Sequence, residues 1–388
     1  MTDSTSFDAQ SSRLIDWCKD YALPLWGTKG IDPTGGFWET LYADTRPIAD
    51  SLRRVRVQAR QTYVFAHAAH LGWWDGAKAV SDHGWDYLTS KGYQGAADHG
   101  YEFAGIAHLL NPDHSLHDGW RDSYAQAFLV LASSWRFRAF DDGEARNTLE
   151  QITGFMNAEL KADNGGWREG IPATAPRRQN PHMHLFEAFI AAYEATHDKS
   201  YLANADHVFD LFEKHFWDAE HKTLLEFFNE DWSPHAETGA LTEPGHLMEW
   251  AWLIYNYARL SGRNVTRYAD AMFETAIKTG VNPVTGLLRN EVHKDGTVTR
   301  GDSRLWPATE FIKASAVRAR AGVPGALDDA AGHIDLLFKY YLDTPVKGGW
   351  YDERDAAGEL TGTDMPSSTF YHIFCAAAEV DICRKQVL

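Results

Sequence analysis

Cysteine is scarce in this chain, which has three: Cys18, Cys375 and Cys383. An odd, widely spaced set with no CxxC pair argues against a disulfide framework and against a zinc knuckle. Positive charge is also short. The 388 residues include 37 Lys and Arg against 54 Asp and Glu, a formal net charge of −17. A nucleic-acid footprint needs clustered cations, so no nucleic-acid partner is expected. No apolar run reaches the roughly 18 residues of a membrane helix. Residues 1–12 are polar and lack an apolar signal core, so a cytoplasmic protein with no membrane partner is expected. Long acidic runs are missing, which leaves a solvated surface rather than a charged tail. No GxxxxGK phosphate loop occurs, and no cofactor is expected.

What is present is apolar and aromatic. Apolar residues make up 44% of the chain, enough for a sizeable core, and 15 Trp and 18 His stand out. Trp faces stack on the C–H faces of pyranose rings, so the composition hints at sugar binding. Short Gly/aromatic loops recur: Gly35-Gly36-Phe37-Trp38, His99-Gly100-Tyr101-Glu102-Phe103, Gly165-Gly166-Trp167, Lys222-Thr223-Leu224-Leu225-Glu226, Thr285-Gly286-Leu287-Leu288 and Gly348-Gly349-Trp350. Measured at residues 36, 100, 166, 224, 286 and 349, the steps are 64, 66, 58, 62 and 63. A period of this size marks a repeat architecture of six units.

Between the loops, apolar residues return every three or four positions, a helical pattern. One helix of each unit is expected over 60–71, 124–137, 184–196, 246–260, 310–321 and 370–380, with partner helices over 203–215, 268–279 and 326–341. Some of the first set are apolar nearly all round, so they are buried on most sides. Six hairpins of buried and amphipathic helices predict an all-α (α/α)6 barrel, with short β-like loops at one mouth, spanning residues 1–388 as a single catalytic domain. An open solenoid would need polar capping units, and none is evident.

Prolines 181, 244, 307 and 366 precede four of the buried helices, and soon after them come His184, His246, Glu310 and His372, with Arg60 at the matching place in the first unit. Equivalent positions in a closed ring point at one axis. A buried ring of ionisable groups is expensive unless it holds water or ligand. His184-Leu-Phe-Glu187 and His246-Leu-Met-Glu249 share a pattern that puts each Glu on the face of its own His, to bond that His or a common ligand. Histidine can take and give a proton at neutral pH, and Arg60 can stabilise an enediolate oxygen. Metal is not expected: HExxH is absent, and His182 and His184 diverge on a helix. His67 and His70 read as core or surface, His108, His114 and His117 as loop, and Cys375 as packing.

The blocks Gln58-Ala-Arg60, Arg178-Gln-Asn-Pro-His-Met-His-Leu-Phe-Glu-Ala188, Glu243-Pro-Gly-His-Leu-Met-Glu-Trp250, Arg304-Leu-Trp-Pro-Ala-Thr-Glu310 and Ser368-Thr-Phe-Tyr-His372 together resemble the N-acylglucosamine 2-epimerase superfamily. The resemblance runs from about residue 30 to about residue 375 and looks most like its monosaccharide (mannose) isomerase branch. It implies an (α/α)6 barrel and metal-independent proton transfer at C2 of an open-chain sugar through a cis-enediol(ate). His246 and His372 would be the catalytic pair, His184 would assist ring opening, and Arg60 would polarise the carbonyl or enediolate. Asn180, Glu249, Glu310 and Trp306 would bind hydroxyls or orient the histidines, and Tyr101 and Phe103 would line the mouth. The implied partner is a small sugar, free D-mannose or D-fructose. A 2-epimerase is the alternative. A glycoside hydrolase would recruit Glu187, Glu249 and Glu310 and leave the histidines redundant. An interaction protein would not keep His246 and His372 intact. The sequence leaves the oligomeric state open, a homo-oligomer included.

Overall fold

The computed structural model describes residues 4–95 and 105–388 and is built from helices, most of them where the apolar spacing puts them. In chain order they are α1 (Ser4–Trp17), α2 (Val55–His70), α3 (Ala77–Tyr87), α4 (Ser123–Phe140), α5 (Gly143–Phe155) and α6 (Gln179–Thr196). The second half holds α7 (Lys199–Leu211), α8 (Pro244–Ser261), α9 (Thr266–Thr275), α10 (Leu305–Arg320), α11 (Ala326–Leu337) and α12 (Ser368–Val387). The even-numbered helices are buried on nearly every face, whereas the odd-numbered ones bury one stripe.

Each even helix packs on the next, and α12 packs on α2, so the inner ring closes. Each is paired with the outer helix that follows it. The sixth pair joins the two ends of the chain: α1 lies against α11 and α12, and Arg384 Nε donates to Asp8 Oδ1 at 2.7 Å. This is the (α/α)6 barrel that the repeat predicts. Helices α1, α3 and α5 are not among the expected elements, because polar and charged residues break their short apolar stripes, with glycine besides in α3 and α5. The loop at 99–103 lies outside the described residues. Among the described residues, no helix is long and apolar enough to cross a membrane.

The two ends of the barrel turn differently. At the far end, inner runs to outer in a tight turn. Asp141 and His197 take left-handed conformations (φ 54° and 58°), and the next residue, Asp142 or Asp198, caps the outer helix through its carboxylate. Such a cap contributes about 1 kcal/mol. At the near end, every outer helix widens into a π-type turn, as at Leu88–Gly92 and Phe212–Phe216, and then enters a Gly/aromatic loop. Short antiparallel pairs stitch neighbouring units: Arg177–Arg178 with Phe227–Phe228, and Ser303–Arg304 with Glu353–Arg354. Thr40–Leu41 with Met365–Pro366 ties the first unit to the last.

Two loops are pinned alike. Gln58 Oε1 accepts from Phe37 N–H at 2.7 Å, and His182 Nε2 accepts from Trp167 N–H at 3.0 Å. Glycine is required just before each pinned residue. Gly36 and Gly166 have φ of 70° and 68°, and a Cβ there would lie 2.5 Å from Gln58 Oε1 or 2.6 Å from His182 Nε2. The prolines sit deeper than expected: Pro244 opens α8, but Pro181 and Pro307 are third in their helices and Pro366 lies in a strand. The three in helices lose no bond, since the first turn has no intrahelical acceptors.

Candidate active site

The register of the inner helices decides what meets on the axis. Arg60, His184, Glu249 and Glu310 are each the sixth residue after the residue that caps their helix, namely Arg54, Arg178, Glu243 and Arg304. His372 is the fifth after Ser367. His246 is only the third after Glu243, so it stands about one turn nearer the mouth. His246, His372, His184, Arg60, Asn180 and Trp306 line one cavity of about 290 Å³, together with Glu249. Glu310 is fully buried behind His372. Tyr101 and Phe103 lie outside the described residues.

The two histidines nearest the centre have unlike surroundings. His246 Nδ1 lies 3.1 Å from both carboxylate oxygens of Glu226, with Glu243 Oε2 3.8 Å away. Burial opposes its charge, but the carboxylates of Glu226 and Glu243, with Glu249, prevail and push its pKa up to about 10. Its Nε2 is 3.1 Å from the Asn180 carboxamide, whose Oδ1 is buried without another partner among the described residues. Turning that amide puts Oδ1 on the Nε2–H, so both ring hydrogens of a charged His246 are received. His372 Nδ1 lies 2.8 Å from Glu310 Oε1. Burial, then Arg60, Lys313 and His184, hold its pKa well below the usual value. The Trp306 ring is 5.1 Å from the His246 ring and 5.7 Å from that of His372.

His184 Nδ1 lies 3.3 Å from Glu187 Oε2, which also accepts from the Tyr371 hydroxyl, and 3.9 Å from Glu249 Oε1. Burial lowers its pKa against the pull of Glu249 and Glu187. Arg60 Nη2 donates to the Tyr124 hydroxyl at 2.7 Å, and the guanidinium lies 4.2 Å from the centre of the Phe128 ring. Arg60 makes no ion pair among the described residues, so its charge is available to the cavity.

One expected pairing fails. Glu187 does bond its own His184, but Glu249 turns to His184 and not to His246, because one turn separates their levels. The partner of His246 is Glu226, which the sequence reading missed. Its signal was present: Glu39, Glu169 and Glu226 all stand two or three residues past the marked loop position. His182 is a loop pin, kept neutral with a pKa lowered to about 3 by burial and Arg177. His67 stacks on Trp135 at 3.5 Å in a second cavity, of about 350 Å³, toward the C-terminal ends of the inner helices. Cys375 lines that cavity and meets the Tyr63 hydroxyl at 3.3 Å, with its thiol pushed up by burial. His114 and His117 belong to the mouth loops.

Three groups have ligand types close enough for a divalent cation: His184 with Glu187 and Glu249, His246 with Glu226 and Glu243, and His372 with Glu249 and Glu310. In each the histidine is hydrogen-bonded to one carboxylate of the group, His184 to Glu187, His246 to Glu226 and His372 to Glu310, and the last group also meets Lys313, 2.6 Å from Glu310.

A closed ring of six helical hairpins with three imidazoles and a guanidinium facing one polar cavity defines an (α/α)6-barrel enzyme of the sugar isomerase and epimerase class. Residues 36–376 match the family model of N-acylglucosamine 2-epimerase (GlcNAc 2-epimerase), and the chain belongs to that family. It is 36% identical to a mannose-6-phosphate isomerase of Rhizobium meliloti (strain 1021), over 97% of this chain and 98% of that protein. It is 28% identical to a D-mannose isomerase of Thermobifida fusca, over 95% and 92%. A crystal structure of D-mannose isomerase superposes with a TM-score of 0.85 at 22% identity, covering 96% of this chain and 98% of that one, a likeness of fold.

Proposed function

We propose that the protein is an aldose–ketose isomerase that interconverts D-mannose and D-fructose without a metal. The observation that carries this reading is the unequal pair of histidines. Neutral His372 is the base: Nε2 takes the C2 proton of the open-chain aldose, exchanges it with solvent at the enediolate stage and delivers a proton to C1. Charged His246 protonates O1 and recovers the proton that O2 gives up. Arg60 stabilises the cis-enediolate between the two steps. His184, held by Glu187, assists ring opening, and Asn180, Glu249 and Trp306 hold the sugar.

The inequality favours an isomerase over a 2-epimerase. In an epimerase the proton taken by one imidazole is replaced from the other, so each turnover exchanges charge between them. Here that exchange would end each turnover with His246 stripped of a proton held by two carboxylates and His372 loaded, which neighbouring cations disfavour; the isomerase passes through that state only between its two steps. An isomerase restores the pair, because His372 both takes a proton from C2 and delivers one to C1.

A second reading adds a 6-phosphate, the group named in the Rhizobium relative. Arg56 supports it. Arg54, Arg178 and Arg304 at the mouth each hydrogen-bond a carboxylate, whereas the nearest to Arg56 is Asp122, at 4.0 Å. The test incubates the enzyme with mannose and with mannose 6-phosphate in D2O and follows products by NMR. A ketose, with label at C1 and little glucose, supports the isomerase, and the faster sugar fixes the phosphate question. Glucose labelled at C2 would replace the reading with an epimerase, and no exchange from any sugar would end both. EDTA should change turnover by less than about twofold; a loss restored by divalent ions would return metal to the site.

A further inference from the structure

Lys313 has no part in the chemistry described so far, yet it is a fully buried cation in the floor of the barrel. A buried charge costs several kcal/mol unless it is paired. It lies one turn below Glu310 on α10, with Nζ 2.6 Å from Glu310 Oε2 and 3.8 Å from the centre of the Trp252 ring. Glu310 uses its other oxygen, Oε1, to meet His372 Nδ1 at 2.8 Å. The three groups form a chain from the floor to the cavity wall: ammonium, carboxylate, imidazole.

We propose that Lys313 is a positioning residue for the proton transfer: it keeps Glu310 a carboxylate, which fixes the His372 hydrogen on Nδ1 and leaves Nε2 bare toward the sugar. The inference rests on reading His372 as the base. Its logic is that of tautomers. An ionised Glu310 can only accept, so Nδ1 must donate and Nε2 carries the lone pair. A protonated Glu310 would donate to Nδ1 and drive the hydrogen to Nε2, where it blocks the base.

The surroundings make the second state a real competitor. Burial, together with Glu249 on α8 and Glu187 on α6, raises the Glu310 carboxyl well above the ordinary carboxylate range with Lys313 already pulling the other way; taking away that ammonium, 2.6 Å from Oε2, would raise it further. Lys313 is the charge set against them. Lys313 itself faces the carboxylates of Glu310, Glu249 and Glu187, which hold its ammonium protonated despite burial, and the neutral thiol of Cys375. His372 faces Arg60, His184 and Arg304 besides Lys313, so it stays uncharged whichever nitrogen holds its hydrogen.

The test reads the tautomer directly. In the wild-type protein without substrate, the 15N resonances of His372 should show a protonated Nδ1 and a bare Nε2. In Lys313→Met the assignment should invert, and kcat should fall by about 10²-fold or more with KM within about threefold, because the wrong tautomer removes the base but not the binding site. A wild-type His372 protonated on Nε2 overturns the proposal, with no variant needed. So does a folded Lys313→Met enzyme that keeps the Nδ1–H tautomer or retains kcat within about threefold. Failure of the isomerase reading is seen separately, as wild-type enzyme that exchanges no sugar proton in D2O.

Discussion

The third and fourth hairpins carry the same loop device to different ends. In the third, Glu169 accepts from the backbone N–H of the helix cap, Arg178, at 2.7 Å and from its Nε at 2.6 Å. The first hairpin repeats this with Glu39 and Arg54. In the fourth, Glu226 likewise accepts from the N–H of the cap, at 3.2 Å, but the cap is Glu243 and brings no guanidinium. The charge that answers Glu226 is the imidazole of His246. An ion pair that staples a loop in one unit thus becomes, by the loss of an arginine, a carboxylate that charges a histidine in the next. His372, whose Glu310 has Lys313 beside it, receives no such surplus.

The largest effect should come from removing either end of that inequality. His372→Asn takes away the proposed base and His246→Asn the proposed acid; each should lower kcat by about 10²- to 10⁴-fold with unchanged circular dichroism. Near-full activity in either would mean the pair does not share the chemistry.

Next comes Glu226→Gln, which turns the fourth hairpin's carboxylate into a neutral amide. The proposed reaction needs neutral His372 and charged His246. The acid limb of kcat/KM should therefore lie well below pH 6.5, and the alkaline limb near 10, where His246 loses its proton. Glu226→Gln should bring the alkaline limb down by at least one unit. Stability moves in the same sense. The folded pKa of His246 is above its unfolded value, so its charge stabilises the fold below about pH 6.5, and that contribution is lost as pH rises through about 10. An alkaline limb that stays put in the variant would separate His246 from Glu226.

On the third hairpin, His182→Leu should cost stability and little else. The ring accepts the Trp167 N–H and meets the Arg178 carbonyl at 3.0 Å, and losing a buried partner costs about 1–3 kcal/mol. A lowered melting temperature with kcat within about threefold is expected; a large fall in kcat would give His182 a role in the site.

Much of this was legible before any coordinates. The six-unit period and the apolar spacing predict the ring, and Arg60, His184, His246 and His372 do face one cavity. What spacing alone missed was a half-register fact. Aligning His246 with His184 by the proline before each helix puts them at one level, whereas alignment by the helix cap puts Glu249 there and lifts His246 one turn. The proline is a poor ruler, because it is tolerated anywhere in the first turn. Glu226 and Lys313 escaped for another reason. Each has a local mark, the loop position of Glu226 and the i, i+3 spacing of Lys313 from Glu310, but the histidine it serves, His246 or His372, is brought up by the fold and is not written in that mark.

The smallest effect is also the most discriminating. Glu243 stands where Arg178 stands in the third hairpin, 3.8 Å from His246 Nδ1, and about a third of its side chain is exposed, so its pull on the ring is screened. Burial, then Glu226 and Glu291, push its own pKa up to about 7, against His246. Below about pH 6, therefore, Glu243 is already mostly protonated, and Glu243→Gln should leave kcat/KM there within about twofold. Above about pH 7 the native carboxylate ionises and helps to keep His246 charged. The variant lacks that help, so its alkaline limb should fall by less than one unit, a smaller shift than in Glu226→Gln. The order of the two shifts is the point at issue. If Glu243→Gln moves the limb further than Glu226→Gln, the cap residue and not the loop carboxylate charges His246, and the comparison between the third and fourth hairpins must be redrawn around the cap alone.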